Sequence, residues 1–271
     1  MKRSLTGILL LSLIAVWLDS RANDDKKPTL SAAEIISQHL DAVGGKQKLL
    51  QFKSRVAIGT IRKENEPEAK MAIMSEAPNH VAAAYIFLNY DWRLAYDGRK
   101  TAFRPQLPRI YAAIESKYRE MLASGLMFNS ISLYNLLLQP AEGVTFEAKG
   151  LKKVKDRDAY VVEVKRSKAD SMRLYFDARS FMWVRTDYGK IHISKEIKPF
   201  TNEVVPHGED ELTVDFYIET SNFRDVDGIK LPFRFEQVVT SPILRQSRSG
   251  TITGTINEYR HNEPINPTMF Q

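Results

Sequence analysis

Short segments in which apolar and polar residues alternate recur along most of this chain and limit what it can fold into. In the segment 54–62, Val56, Ile58 and Thr60 fall on one face of an extended strand, and the polar stretch 63–68 ends the run. Such runs are shorter than ordinary helices and lack helical spacing. The alternation therefore predicts a chain that is mostly antiparallel sheet.

Two segments in the middle of the chain have helical spacing instead. Apolar residues recur there at intervals of three and four, at Tyr111, Ile114, Tyr118, Met121 and Leu122. This spacing predicts a helix over about 111–124. Asn129 or Ser130 can cap a second helix that ends near Leu138, before Pro140. Two helices are therefore expected to interrupt the strands.

Residues 1–22 have the features of a secretory signal. Basic residues precede an apolar run from Leu5 to Leu18, and Ser20 and Ala22 supply the small residues of a cleavage site. The run is shorter than the roughly 20 residues of a transmembrane span. We expect cleavage after Ala22 and an exported domain of residues 23–271; the alternative is an uncleaved N-terminal anchor.

A capping box begins the mature domain. Ser31 and Glu34 have the S-x-x-E spacing in which each side chain accepts a hydrogen bond from the other residue's backbone N–H. Gly44 suits the left-handed conformation that commonly ends a helix. These signals predict a helix over about 32–43 and a short helical turn near 46–50.

The composition argues against several kinds of chemistry. The chain has no cysteine, which excludes disulfides, thiol catalysis and a lipid-modified N-terminal cysteine. No two of its five histidines lie three or four residues apart, so we expect surface histidines, no metal and no cofactor. The formal charge of +6 is a mild excess, and no nucleic-acid partner is expected. Since no hydrolase or nucleotide-binding motif occurs, we expect that the protein is not an enzyme.

Turn signals divide the extended part of the chain into about eleven strands. A polar stretch over 198–211 is expected to be a loop between them. The Asp227-Gly228 pair predicts a tight turn between two long strands. Pro232 cannot donate to a ladder, so its strand is expected to lie at an edge or to bend there.

The order of elements and several local strings resemble a known family, the LolA/LolB-like superfamily of periplasmic lipoprotein carriers and outer membrane lipoprotein-sorting proteins. The order is an N-terminal helix, a β-meander, two helices and a longer β-meander. The similar strings are "HLDAVGGKQKL" (39–49), "YDGRKTAF" (96–103), "VKDRDAYVVEV" (154–164), "LYFDARSFMWVR" (174–185) and "FRDVDGIKLPFRFE" (223–236). Together they extend over nearly the whole mature chain.

The resemblance implies a mainly β (α+β) fold. Its sheet would be an antiparallel incomplete barrel of roughly eleven strands, with an N-terminal helix and a two-helix lid over the concave side. In that family the apolar cavity beneath the lid takes acyl chains, and in the soluble carrier a cavity arginine holds the lid. Arg93, Arg104 and Arg185 are the candidates for that arginine here, and the lack of cysteine excludes an anchored receptor of the LolB type.

Large apolar side chains on the predicted strands and helices are the candidate ligand-binding residues. Aromatic and aliphatic walls with few polar groups are typical of sites for apolar ligands, although the same residues would also form an ordinary core. The candidate cavity wall is Met71, Ile73, Tyr85, Phe87, Trp92, Leu94, Phe176, Trp183, Phe216 and Phe235. The candidate lid residues are Tyr118, Met121, Leu122, Leu133, Leu136 and Leu137.

The sequence thus predicts a periplasmic binding or carrier protein for an apolar ligand, either lipoprotein acyl chains or another lipid. Its contact with the membrane would be transient, and an envelope protein could be a partner. The alternative, from a different class, is a module of the same fold that senses envelope lipid or has a structural role and binds a protein. A hydrolase is the third and least favoured hypothesis.

Overall fold

The computed structural model describes residues 30–63, 67–86, 91–104, 131–167, 170–193, 195–197, 204–206, 212–240 and 250–271. The helices in these ranges are α1 (Ala32–Ala42), α2 (Lys46–Leu49), α3 (Ile131–Leu138) and a 3-10 helix (Pro267–Phe270). The strands are β1 (Ser54–Lys63), β2 (Ala69–Glu76), β3 (His80–Ile86), β4 (Asp91–Tyr96), β5 (Thr101–Arg104), β6 (Thr145–Val154), β7 (Arg157–Ser167), β8 (Asp170–Asp177), β9 (Trp183–Ile193), β10 (Lys195–Ile197), β11 (Val204–Pro206), β12 (Leu212–Val226), β13 (Ile229–Thr240) and β14 (Gly250–His261).

Twelve of these strands form one antiparallel sheet in the order β5-β4-β3-β2-β1-β14-β13-β12-β9-β8-β7-β6. The last strand, β14, lies between β1 and β13 and so joins the two meanders. In the described ranges the two edge strands, β5 and β6, do not pair with each other, so the sheet is open. The predicted mainly β, antiparallel, incomplete barrel is confirmed.

A separate hairpin corrects the prediction of a loop over 198–211. Strand β11 lies inside that stretch and pairs with β10. Each strand has only three residues, which is too short for an alternating pattern to be recognised. The main sheet has twelve strands against the roughly eleven predicted, and this hairpin adds two more.

The N-terminal helix begins and ends as predicted. Ser31 Oγ accepts from the backbone N–H of Glu34, whose carboxylate accepts from the backbone N–H of Ser31 at 2.8 Å. The end of α1 meets the turn between β12 and β13, where the Lys230 N–H donates to the Val43 carbonyl at 2.9 Å. A Cβ at Gly44 would clash with the backbone of that turn, so the close approach requires glycine.

The turn between β12 and β13 is the predicted Asp227-Gly228 pair, and both residues have positive φ, of 53° and 80°. Of the two alternatives expected for the strand of Pro232, an edge or a bend, the edge is wrong, because β13 lies between β12 and β14. Among the described residues, however, the ladder between β13 and β14 begins only at Arg234. Pro232 precedes that ladder, so its lack of an N–H removes no hydrogen bond from the ladder to β14.

The two faces of the sheet are covered differently. We call the inner face the one that carries Ile73, Tyr85, Phe176 and Phe216, since these residues share the largest buried cluster with α1 and α3. The opposite, outer face has two smaller clusters, one of which packs against Phe270 of the 3-10 helix. The two longer α-helices in the described ranges, α1 and α3, therefore lie on the inner face.

Candidate functional site

Most of the predicted cavity wall lies on the inner face. Eight of the ten residues are buried, each with at most 4% of its surface exposed: Met71, Ile73, Tyr85, Leu94, Phe176, Trp183, Phe216 and Phe235. All but Leu94 belong to the largest cluster, and Leu94 faces the same way because it pairs with Ala83. Phe87 and the side chain of Trp92 lie outside the described residues. These eight described side chains are closed to solvent in this structure.

The predicted lid is described only in its second helix. In α3, Leu137 is buried in the inner cluster and Leu136 packs against it. The Asn135 side-chain amide donates to the Pro78 carbonyl at 2.8 Å, which ties the helix to the turn between β2 and β3. The side chain of Leu133 lies outside the described part of the chain, as do Tyr118, Met121, Leu122 and the whole first helix predicted over 111–124.

Tyr134 is a residue of α3 that was missing from the candidate lid residues predicted from the sequence. It is buried, and its ring stacks parallel to the ring of His39 from α1, with the ring centroids 6.2 Å apart. The Arg55 guanidinium of β1 lies 5.5 Å from the centre of the Tyr134 ring. Burial raises the pKa of Tyr134, so its hydroxyl stays protonated. The spacing to Leu137, three residues on, was the available signal that Tyr134 faces the sheet.

Arg55 is held in place by His261, which in turn contacts Asp227 in a surface turn. Its Nε donates to Nε2 of His261 at 3.0 Å, and Nδ1 of His261 lies 2.8 Å from the Asp227 carboxylate. A carboxylate only accepts, so Nδ1 carries the proton and Nε2 is free to accept from Arg55. Burial lowers the pKa of His261 although Asp227 opposes that effect. A neutral His261 thus connects the exposed Asp227 turn to a buried arginine.

The three arginines proposed as the lid-holding residue are on the wrong face. Arg93 and Arg104 pair with each other on the face opposite Leu94. Arg185 stacks over the ring of Tyr217 on the outer face, 3.6 Å from its centre. Arg55, at 2% exposed, is instead the buried arginine that touches α3.

The expectation of five surface histidines is also wrong, most clearly for His39. Only 1% of His39 is exposed, and its ring packs against Phe176 with the centroids 4.8 Å apart. Nδ1 lies 2.9 Å from the Phe181 carbonyl oxygen. Since a carbonyl only accepts, Nδ1 donates and Nε2 keeps its lone pair. Burial lowers the pKa of His39 to about 4, so the imidazole is neutral at physiological pH.

A few polar atoms are therefore enclosed within an apolar, aromatic layer. Nε2 of His39 and Oγ1 of Thr186 are buried and have no hydrogen-bond partner among the described residues. No group of three or more histidine, aspartate or glutamate side chains in the described ranges is arranged to hold a metal ion. No helix in those same ranges is long and apolar enough to cross a membrane. Mostly apolar walls with a few placed polar groups are characteristic of sites for small apolar ligands.

No protein-family model and no curated protein sequence matches this chain. Among solved structures, a LolA superfamily protein from Nitrosomonas europaea matches with 11% identity and a TM-score of 0.47, over 89% of this chain and 98% of the other. A DUF1329 family protein from Desulfovibrio piger matches with 9% identity and a TM-score of 0.44, over 89% and 97%. An outer membrane lipoprotein-sorting protein domain from Vibrio parahaemolyticus matches with 10% identity and a TM-score of 0.43, over 88% and 95%. Structures of the LolA superfamily and of lipoprotein-sorting domains are thus similar to this chain over most of its length, at low identity.

Proposed function

We propose that this protein binds an apolar or amphiphilic molecule between the inner face of its sheet and α3, and carries it across the periplasm. The observation that supports the proposal is the composition of the inner face. Large aromatic side chains line it, and Arg55 and His39 are buried among them beneath one helix. Burying polar side chains in an apolar layer costs free energy. A ligand with a polar head as well as an apolar chain would account for the presence of these side chains.

Burial of an acyl chain supplies the binding free energy in this proposal. Each CH₂ group transferred from water to an apolar site contributes roughly 0.8 kcal/mol. No covalent step is required, so the protein would act by holding and releasing its ligand. The acyl chains of a lipoprotein or another lipid are the proposed cargo, as the sequence resemblance implies, and contact with a membrane or an envelope protein would occur only at loading and delivery.

A matched pair of isoleucines offers the test. Ile73 lies on the inner face and is 4% exposed, whereas Ile86, on the neighbouring strand, is 56% exposed. In Ile73→Asp a buried carboxylate should weaken binding of a fluorescent apolar probe by about tenfold or more. Ile86→Asp should bind the probe like the wild type.

Folding must be checked in the same experiment, because a buried carboxylate can also unfold the domain. Far-UV circular dichroism of each variant serves this purpose. Leu136→Glu, in α3, is a milder alternative because Leu136 is only partly buried. Wild-type protein that binds no probe would contradict the proposal and favour the sensing or structural alternative.

A further inference from the structure

The ring of His39 lies where α1, α3 and the sheet meet. It packs against Phe176 of β8 and Tyr134 of α3, both in the cluster of the inner face. One ring nitrogen, Nδ1, donates a hydrogen bond to the Phe181 carbonyl. The other, Nε2, is shielded from solvent and has no hydrogen-bond partner among the described residues.

A buried acceptor without a partner is uncommon in folded proteins. Nearly all buried polar atoms are hydrogen-bonded, and each exception calls for an explanation such as a bound water or ligand. Leaving such a group unsatisfied has a free-energy cost comparable to that of a lost hydrogen bond. His39 is neutral at physiological pH because burial lowers its pKa to about 4, so Nε2 presents a lone pair and no proton.

We infer that His39 Nε2 is the polar subsite of the inner face and accepts a hydrogen bond from a donor on the head of an amphiphilic ligand. This inference rests on the proposed function and narrows the ligand class. A hydroxyl group, an amide N–H or a protonated carboxylic acid can donate to Nε2. An ionised carboxylate and an ether or ester oxygen only accept, so they find no partner there. The site thus selects alcohols and N-acyl amides over esters, ethers and ionised fatty acids with the same chain.

The test compares two ligands that differ in one donor. Decanol has a hydroxyl proton and decyl methyl ether does not, while both have the same alkyl chain. Each is titrated against the mature protein loaded with the fluorescent probe N-phenylnaphthylamine. Decanol should displace the probe at a concentration about tenfold lower than the ether does, after correction for the different partitioning of the two ligands into a detergent micelle. The partitioning ratio in the micelle is the micelle value.

Two variants assign the preference to His39. In His39→Phe the ring is kept and the acceptor removed, so the preference for decanol should fall to the micelle value. His80→Phe is the matched control, because His80 lies in β3 and packs against Phe270 on the outer face. It should keep the preference of the wild type. His39→Leu serves if the phenylalanine variant does not fold.

Nitrogen NMR of the His39 imidazole in the wild type is a further measurement, and it requires no variant. The Nε2 resonance of His39 should shift when decanol is added and should not shift with the ether. A wild-type preference for decanol no larger than the micelle value, or an unchanged preference in His39→Phe, would overturn the inference while leaving the proposed function standing. Failure of the probe to bind the wild type would overturn both.

Discussion

Acidification should destabilise the folded protein through His39. The pKa of this buried histidine is about 4, against an ordinary value of 6.5. The unfolded chain therefore binds a proton at a higher pH than the folded chain does. Stability is highest where both states are neutral, above pH 6.5, and is lost as the pH falls towards about 4.

The size of the effect follows from the difference between the two pKa values. One pKa unit corresponds to about 1.4 kcal/mol, so the complete shift would cost about 3 kcal/mol once the pH is below both values. Near the middle of the window, His39 should contribute a slope of about 1 kcal/mol per pH unit to the free energy of unfolding. The complete cost of about 3 kcal/mol is a large part of the roughly 5–15 kcal/mol that stabilises a typical domain.

Urea unfolding of the wild type and of His39→Phe measures this contribution. Both proteins are unfolded at several values between about pH 5 and pH 7.5, and the free energy of unfolding is plotted against pH. Other groups, including His261, titrate in both proteins and cancel in the comparison. The wild-type curve should fall more steeply on acidification. Parallel curves would refute the assignment of His39 as a buried neutral imidazole.

Two further predictions concern residues around the same face. Gly254→Ala should destabilise the protein by about 1–3 kcal/mol in urea unfolding, because a Cβ there would overlap the ring of Phe235 on the neighbouring strand; unchanged stability would contradict this packing. Asp227→Asn should lower the pKa of His261 further below its ordinary value, since the carboxylate raises that pKa. An NMR titration of the imidazole measures the change, and an unaltered pKa would refute the link to Asp227.

Local signals in the sequence were sufficient to predict most of the architecture, but not the β10–β11 hairpin or the interior position of β13. The capping box, the Asp-Gly turn and the alternation along each strand depend on residues close together in the chain, and the structure confirms them. The alternation also predicted the inner wall, because a residue such as Phe176 or Phe216 has a defined face once its strand is recognised. The lining role of these residues stays a prediction.

The polar part of the site depends on contacts between distant parts of the chain. In β1 the larger apolar residues Val56 and Ile58 lie on the outer face, and Val56 packs against a cluster there, whereas Arg55 is turned inward. Alternation alone favours the opposite orientation, since it cannot show that the C-terminal 3-10 helix covers the outer face. His39 likewise finds its partner at Phe181, in a turn that follows β8. No local pattern reveals either contact.

Lipid analysis of the wild-type protein tests the central claim most directly. The protein is purified from cells without detergent and extracted with organic solvent. Its extract is analysed by mass spectrometry beside that of Ile73→Asp, whose charge would lie on the inner face. The account predicts an amphiphile with at least one alkyl chain, close to one molecule per protein in the wild type and much less in the variant. Equal, trace amounts of lipid in both extracts, from a wild-type protein that also binds no apolar probe, would contradict it.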